Sequence, residues 1–277
     1  MLSYQLQGSG NPLLLIHGWG VTYTTWRELI PLLVPHFQLI LVELPGMGTA
    51  HEIAPEKPYY PACAEALEEL RIALHIERWA ILAYSTGTRA AEAYIQAYPE
   101  RVSQAVFLCP AYIRKSWQAA IQIEQWIDSK YSRVANWFLS GWPLYGFLFG
   151  FGFNLQNHDY AQEWMNEITM QPQHTLKRTL FELPGKGRAP FMLPTSPLVP
   201  SLFIWGRQDA LIARPPRLRP NDIIIFANHS APILTPHSIV SIALAFLLGE
   251  QQKDDIEKRQ KSSSHDMMIH ESAKSLQ

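Results

Sequence analysis

The pentapeptide Ala83-Tyr84-Ser85-Thr86-Gly87 sets a serine between small residues two places before and two places after it. The apolar run Ala80 to Ala83 precedes it, and a helical pattern from Thr86 to Tyr98 follows until Pro99 stops it. A serine on a sharp strand-to-helix turn has its hydroxyl lifted above a sheet edge, and such a turn leaves no room for bulky neighbours. The free N–H groups opening the helix would then face developing negative charge. This is geometry for a nucleophile, although the same residues also fit a plain serine N-cap. A hydroxyl needs a base to attack, and the base needs an acid to orient it. Asp209 comes just after the run Leu202 to Trp205, and His229 just after Ile223 to Phe226, so both stand past strand ends as Ser85 does. No acid follows the run ending at Leu108, where Pro110-Ala111 stand. His158, His174, His237, His265 and His270 lack that strand-end context. His17, in His17-Gly18-Trp19-Gly20, reads as a structural hydrogen-bonding residue of a turn rather than as a catalyst.

Positioning such residues takes a sheet. Leu13 to Ile16, Leu39 to Val42, Ala80 to Ala83, Ala105 to Leu108, Leu202 to Trp205 and Ile223 to Phe226 are short apolar runs closed by turn residues. Continuous apolar runs of that length read as strands buried on both faces. Helical patterns cover Ala62 to His75, Thr86 to Tyr98 and Pro232 to Leu248, the last ending at Gly249. Strand and helix in alternation predict an α/β fold with a mostly parallel sheet covered on both faces, and a ligand site outside the C-terminal strand ends. The rhythm stops between about Ala111 and Pro200. That stretch, with Trp117, Trp126, Trp137, Trp142 and Trp164, reads as a helical, aromatic-rich cap whose rings either line substrate or pack on one another. The expected organisation is a core over residues 1–110 and 201–249, a cap over 111–200, and a disordered polar tail over 250–277.

Length and composition fit this plan. The 277 residues, 47% hydrophobic, suffice for a sizeable core. A net charge of -1 gives no hint of a nucleic-acid surface. Two cysteines, Cys63 and Cys109, form neither a disulfide framework nor a metal spacing, so a reducing cytoplasm is the expected location. The N-terminus shows no signal-peptide pattern, and no apolar run nears the roughly 18 residues of a membrane span. The run Gly141 to Phe153 is too short to span and too rich in glycine for a regular helix; it either lines or covers the pocket or touches a membrane.

With these pieces in order, the sequence resembles the α/β-hydrolase superfamily over nearly the whole chain outside the cap and tail. It looks closest in motif to the pimeloyl-[acyl-carrier protein] methyl ester esterase-like carboxylesterases. The carrying pieces are Tyr4 to Gly10, His17-Gly18-Trp19-Gly20, Leu41 to Gly48, the turn at Ser85, Tyr98 to Val102 and His229-Ser230-Ala231-Pro232. The resemblance implies Ser85, Asp209 and His229 as a catalytic triad, with the backbone amides of Trp19 and Thr86 as an oxyanion hole. It also implies substrate contact at Trp19 and Tyr84. No metal or organic cofactor is implied. Glu43 stands where an aspartate is usual, Met47 where an aromatic or histidine is common, and Ala83 where the turn usually has glycine. The segment between Asp209 and His229 has only 19 residues and holds Arg214-Pro215-Pro216-Arg217-Leu218-Arg219-Pro220. Prolines forbid a regular helix there, so an irregular loop is expected, and Asp209 is the triad member such a loop would displace.

The implied activity is hydrolysis of a carboxylic ester with an apolar acyl or ring group, through an acyl-enzyme. Two other readings share the same residues: hydrolysis of a C–C bond by the same triad, and a non-catalytic accessory protein on a hydrolase fold. A small-molecule ester is the expected partner. Cap cations Arg114, Lys115, Lys130, Arg133, Lys177 and Arg178 would suit an acidic carrier protein, but Glu124, Asp128, Asp159, Glu163 and Glu167 nearly cancel them.

Overall fold

A computed structural model describes residues 2–54, 56–140, 158–183 and 198–249. The readings of Gly141–Phe153 and of the tail over 250–277 lie outside them. Seven strands form one sheet in the order β1-β3-β2-β4-β5-β6-β7. They are β1 Ser3–Gln7, β2 Asn11–Ile16, β3 Phe37–Glu43, β4 Trp79–Tyr84, β5 Val102–Leu108, β6 Ser201–Gly206 and β7 Asp222–Ile225. Every neighbouring pair is parallel except β1 against β3, which is antiparallel. Strand β1 is absent from the apolar runs because it is a half-exposed edge: Tyr4 and Leu6 are exposed.

The apolar runs divide by period two between two cores. Leu13, Leu15, Leu39, Leu41, Leu82, Val106, Leu202 and Ile204 face one side. Leu14, Ile16, Ile40, Val42, Ile81, Phe107, Phe203 and Trp205 face the other. The short helix α1 (Ile30–Leu33) covers the first face, and helices α2 (Tyr59–Ala73) and α3 (Gly87–Ala97) cover the second. Helix α2 starts before the expected Ala62, with Pro61 tolerated in its first turn, and it ends before His75, whose φ of 55° turns the chain away.

Four helices occupy the described part of 111–200: α4 Lys115–Lys130, α5 Ser132–Ser140, α6 His158–Met170 and α7 Gln173–Phe181. The expected helix over Pro232–Leu248 is two helices, α8 Ala231–Leu234 and α9 Pro236–Leu247. Pro236 has no N–H to continue α8 and drives Thr235 to φ −135°, ψ 45°, outside the helical region. Helix α9 completes the cover of the first sheet face.

Strand β7, at the edge beside β6, is not buried on both faces: Ile224 is 39% exposed, and Phe226, just past the strand end, 71%. The segment from β6 to β7 is the irregular loop that its prolines predict. In place of a helix, local bonds tie it down. Ile212 forms a bridge with Ile113, the Arg219 amide donates to Asp222 Oδ2 at 2.8 Å, and the Arg219 guanidinium lies 3.5 Å over the Phe203 ring.

Candidate active site

Ser85 leaves β4 with φ of 51°, a left-handed conformation that costs a non-glycine residue energy and persists only when its surroundings impose it. The surroundings are visible. Its amide donates to Leu108 O at 3.0 Å, which ties the turn to β5. Helix α3 then runs so close to the end of β2 that a Cβ on Gly87 would lie 2.1 Å from the His17 carbonyl oxygen. A Cβ on Gly18 would come within 3.1 Å of the Tyr84 ring. Gly87 is therefore required by close backbone approach, and Gly18 packs tightly against the Tyr84 and Ser85 side chains. Ala83 is fully buried in β4, so the methyl that replaces the usual hydrogen is accommodated in the core.

His17 sits beneath this contact, fully buried. The Leu44 amide donates to its Nε2 at 2.9 Å, which leaves the proton on Nδ1 for Gly18 O at 2.8 Å. Burial lowers its pKa, and the neutral ring serves as a structural link, as the sequence suggested.

Three side chains from three strand ends converge. Ser85 Oγ lies 2.9 Å from His229 Nε2, and His229 Nδ1 lies 2.8 Å from Asp209 Oδ2. The irregular crossover therefore does not pull Asp209 away. Asp209 Oδ1 accepts the Leu211 amide at 2.9 Å and the Ile212 amide at 3.1 Å, so the loop grips its own carboxylate. Burial works against ionising that carboxyl, yet the charge and hydrogen bond of His229, with the two amides, outweigh it and hold its pKa below the usual range. A carboxylate opposite Nδ1 fixes the imidazole proton there and frees Nε2 to accept from a hydroxyl. Tyr84 donates its phenol to His229 O at 2.6 Å, which steadies the loop that carries the histidine.

Sequence reasoning passed over two residues. Cys109, which follows β5, is fully buried with φ of 44°, so adjacent strands β4 and β5 both end in a left-handed non-glycine residue. Its Sγ, an Asp209 oxygen and a His229 nitrogen lie within 4.8 Å of one another. Those donors are already engaged: Asp209 bonds His229 and two amides, and burial, with Asp209 beside it, keeps the Cys109 thiol protonated. Glu124 is the second. By sequence it is one acid among several offsetting the cap's cations; in the structure it stands in the wall of a cavity. Its signal was the helical spacing of α4, which sets one acid on an apolar stripe.

The cavity measures about 410 Å³ and opens onto Ser85, Thr86, Trp19, Tyr84 and His229. The rest of its wall is almost wholly hydrocarbon and includes Trp117, Ile121, Ile127, Trp164, Ile168 and Leu180. Several bonds fasten the overlying helices to the sheet. Trp19 Nε1 donates to Leu176 O at 2.9 Å, the Thr22 amide to Glu167 at 2.9 Å, and the Gly48 amide to Gln171 Oε1 at 2.8 Å. Arg178 reaches Ile53 O and Ala54 O, and Lys177 pairs with Asp128, so these two cations are spent inside the fold rather than displayed for a partner. Among the described residues no helix is long and apolar enough to cross a membrane.

Known proteins agree with this architecture. The pimeloyl-[acyl-carrier protein] methyl ester esterase of Photobacterium profundum is 34% identical over 109 residues, which is 38% of this chain and 39% of that relative. Its counterpart in Legionella pneumophila (strain Corby) is 54% identical over 41 residues, 15% of this chain and 17% of the relative. The matches thus span well under half the length of these curated relatives. A thermophilic esterase from Thermogutta terrifontis superposes with TM-score 0.72 at 19% identity, over 89% of this chain and 92% of that one. An epoxide hydrolase from Bacillus megaterium superposes with TM-score 0.69 at 18% identity, over 90% and 97%. Likeness at that identity speaks for the fold alone. The family model for the alpha/beta hydrolase fold matches residues 11–214, and the chain belongs to that family.

Proposed function

We propose that this chain is a serine hydrolase that cleaves a carboxylic ester of an apolar substrate through an acyl-enzyme. The observation that carries the reading is the unbroken relay Ser85–His229–Asp209 at the mouth of an apolar cavity. His229 Nε2 takes the Ser85 proton as Oγ attacks the ester carbonyl. The amides of Trp19 and Thr86, at the two backbone segments that flank Ser85, hold the oxyanion; one such donor contributes about 10²–10³ in rate. His229 then protonates the departing alcohol. Water, deprotonated by the same nitrogen, attacks the acyl-enzyme and frees the acid. Asp209 keeps the imidazole in the required tautomer and stabilises its charged form. Tyr84 takes part through His229, since its hydroxyl is already committed there.

The hydrocarbon lining suits an alkyl chain or ring, and helices α4, α6 and α7, which contribute to it, act as the cap that encloses it. The names of the curated relatives point to a methyl ester whose acid is held by an acyl-carrier protein. A short p-nitrophenyl ester tests the reading without assuming the carrier. The wild-type chain is expected to hydrolyse it and Ser85→Ala to lose the activity, while equal rates in the two would sink the proposal.

A further inference from the structure

Helix α4 turns Trp117, Ala120, Ile121, Glu124 and Ile127 toward the cavity. The three- and four-residue spacing puts them on one stripe. Glu124 is the one carboxylate on the described lining. Its Oε1 is buried and has no hydrogen-bond partner among the described residues. Lys177, the cation near enough to act on it, is already paired with Asp128. Burial and the neighbouring Asp128 raise the Glu124 carboxyl pKa, and Lys177 pulls it back. A leucine would close this wall at no cost in unsatisfied polarity, whereas a buried acceptor without a donor weakens the fold. The Glu124 side chain stands on the cavity lining itself, among hydrocarbon groups.

We infer that Glu124 selects an apolar substrate that carries a hydrogen-bond donor, a hydroxyl or an ammonium, along its chain. The inference rests on the proposed hydrolysis at Ser85 and deepens it. A site built to accept from a donor rejects the analogue that lacks one, because its own group is then left unpaired.

The test uses the full chain and two probe sets. The first is a chain-length series of methyl alkanoates with their ω-hydroxy and ω-amino counterparts, followed by titration of released acid. The second is the matching N,N-dimethyl amides, which are not cleaved and bring no donor of their own, with binding read by calorimetry. At the best chain length, a donor-bearing compound is expected to gain about 10- to 100-fold in kcat/KM and in affinity. In Glu124→Leu the ratio falls to unity. In Glu124→Gln, which keeps the shape of the side chain, a preference for ammonium is lost and one for hydroxyl persists. A wild-type chain indifferent to the donor, or a preference that survives in Glu124→Leu, overturns the inference. Tighter binding of donor-bearing amides through Glu124 without hydrolysis of any ester keeps the inference and overturns the reading of Ser85.

Discussion

The strand ends that carry Ser85, Asp209 and His229 and the helix α4 above them are built by different means. The strand ends are over-determined. Two adjacent residues of the sheet edge, Ser85 and Cys109, hold φ values of 51° and 44°; Gly87 rests against carbonyl oxygens; and every polar atom of Asp209's carboxylate is engaged. Helix α4 is held at its two ends: at its start the Arg114 amide donates to Leu211 O at 3.1 Å and Trp117 Nε1 to Ala210 O at 3.3 Å, and near its end Asp128 pairs with Lys177 of α7. Between them, Ile123 and Trp126 are 59% and 61% exposed. On the proposed function, the constrained strand ends govern rate and the wall formed by α4 governs which substrate enters.

The contrast breaks if mutations in the two places have similar effects. Asp209→Asn should lower kcat about 10⁴-fold with little change in KM, because it presents the wrong imidazole tautomer to Ser85. Steady-state kinetics on a short ester checks this. Gly87→Ala drives a methyl into the His17 carbonyl and is expected to cost about 3 kcal/mol or more, measured by urea denaturation. Ile121→Ala enlarges the cavity wall; the expected effect is a KM increase of about 10-fold for long-chain esters, with the chain-length optimum displaced. The smallest effect is on pH. Asp209's pKa is depressed on folding, so the stability it contributes is fully present above its unfolded value of about 3.9 and is lost as pH falls through the folded value. The difference in urea midpoint between the wild-type chain and Asp209→Asn should shrink as pH falls below about 4, where the Asp209 carboxylate begins to protonate.

The same contrast explains what could be read from the residues alone. Ser85, Asp209 and His229 were legible because each follows an apolar run, and a strand end fixes where the next side chain can stand. The apolar runs likewise announced six of the seven strands. Strand β1 escaped because an edge strand with one solvated face carries too little hydrophobic signal. The break at Pro236 was written in the sequence, but the apolar periodicity on both sides of it read as one helix. Nothing in spacing announced that fifteen residues of proline-rich loop between β6 and β7 would be tied down by Arg219, Asp222 and Asp209 through bonds to their own neighbours. Glu124 escaped for a further reason: its meaning lies in an unmet hydrogen bond, which appears only once the surrounding wall is in place.

The central claim is that the Ser85 hydroxyl is activated by its neighbours. Labelling of the intact chain with a fluorophosphonate probe, followed by peptide mapping, reads that directly. One label per chain is expected, on Ser85, absent in Ser85→Ala and slowed by orders of magnitude in His229→Ala. An unlabelled Ser85 in an active preparation, or labelling that proceeds equally well without His229, would contradict it.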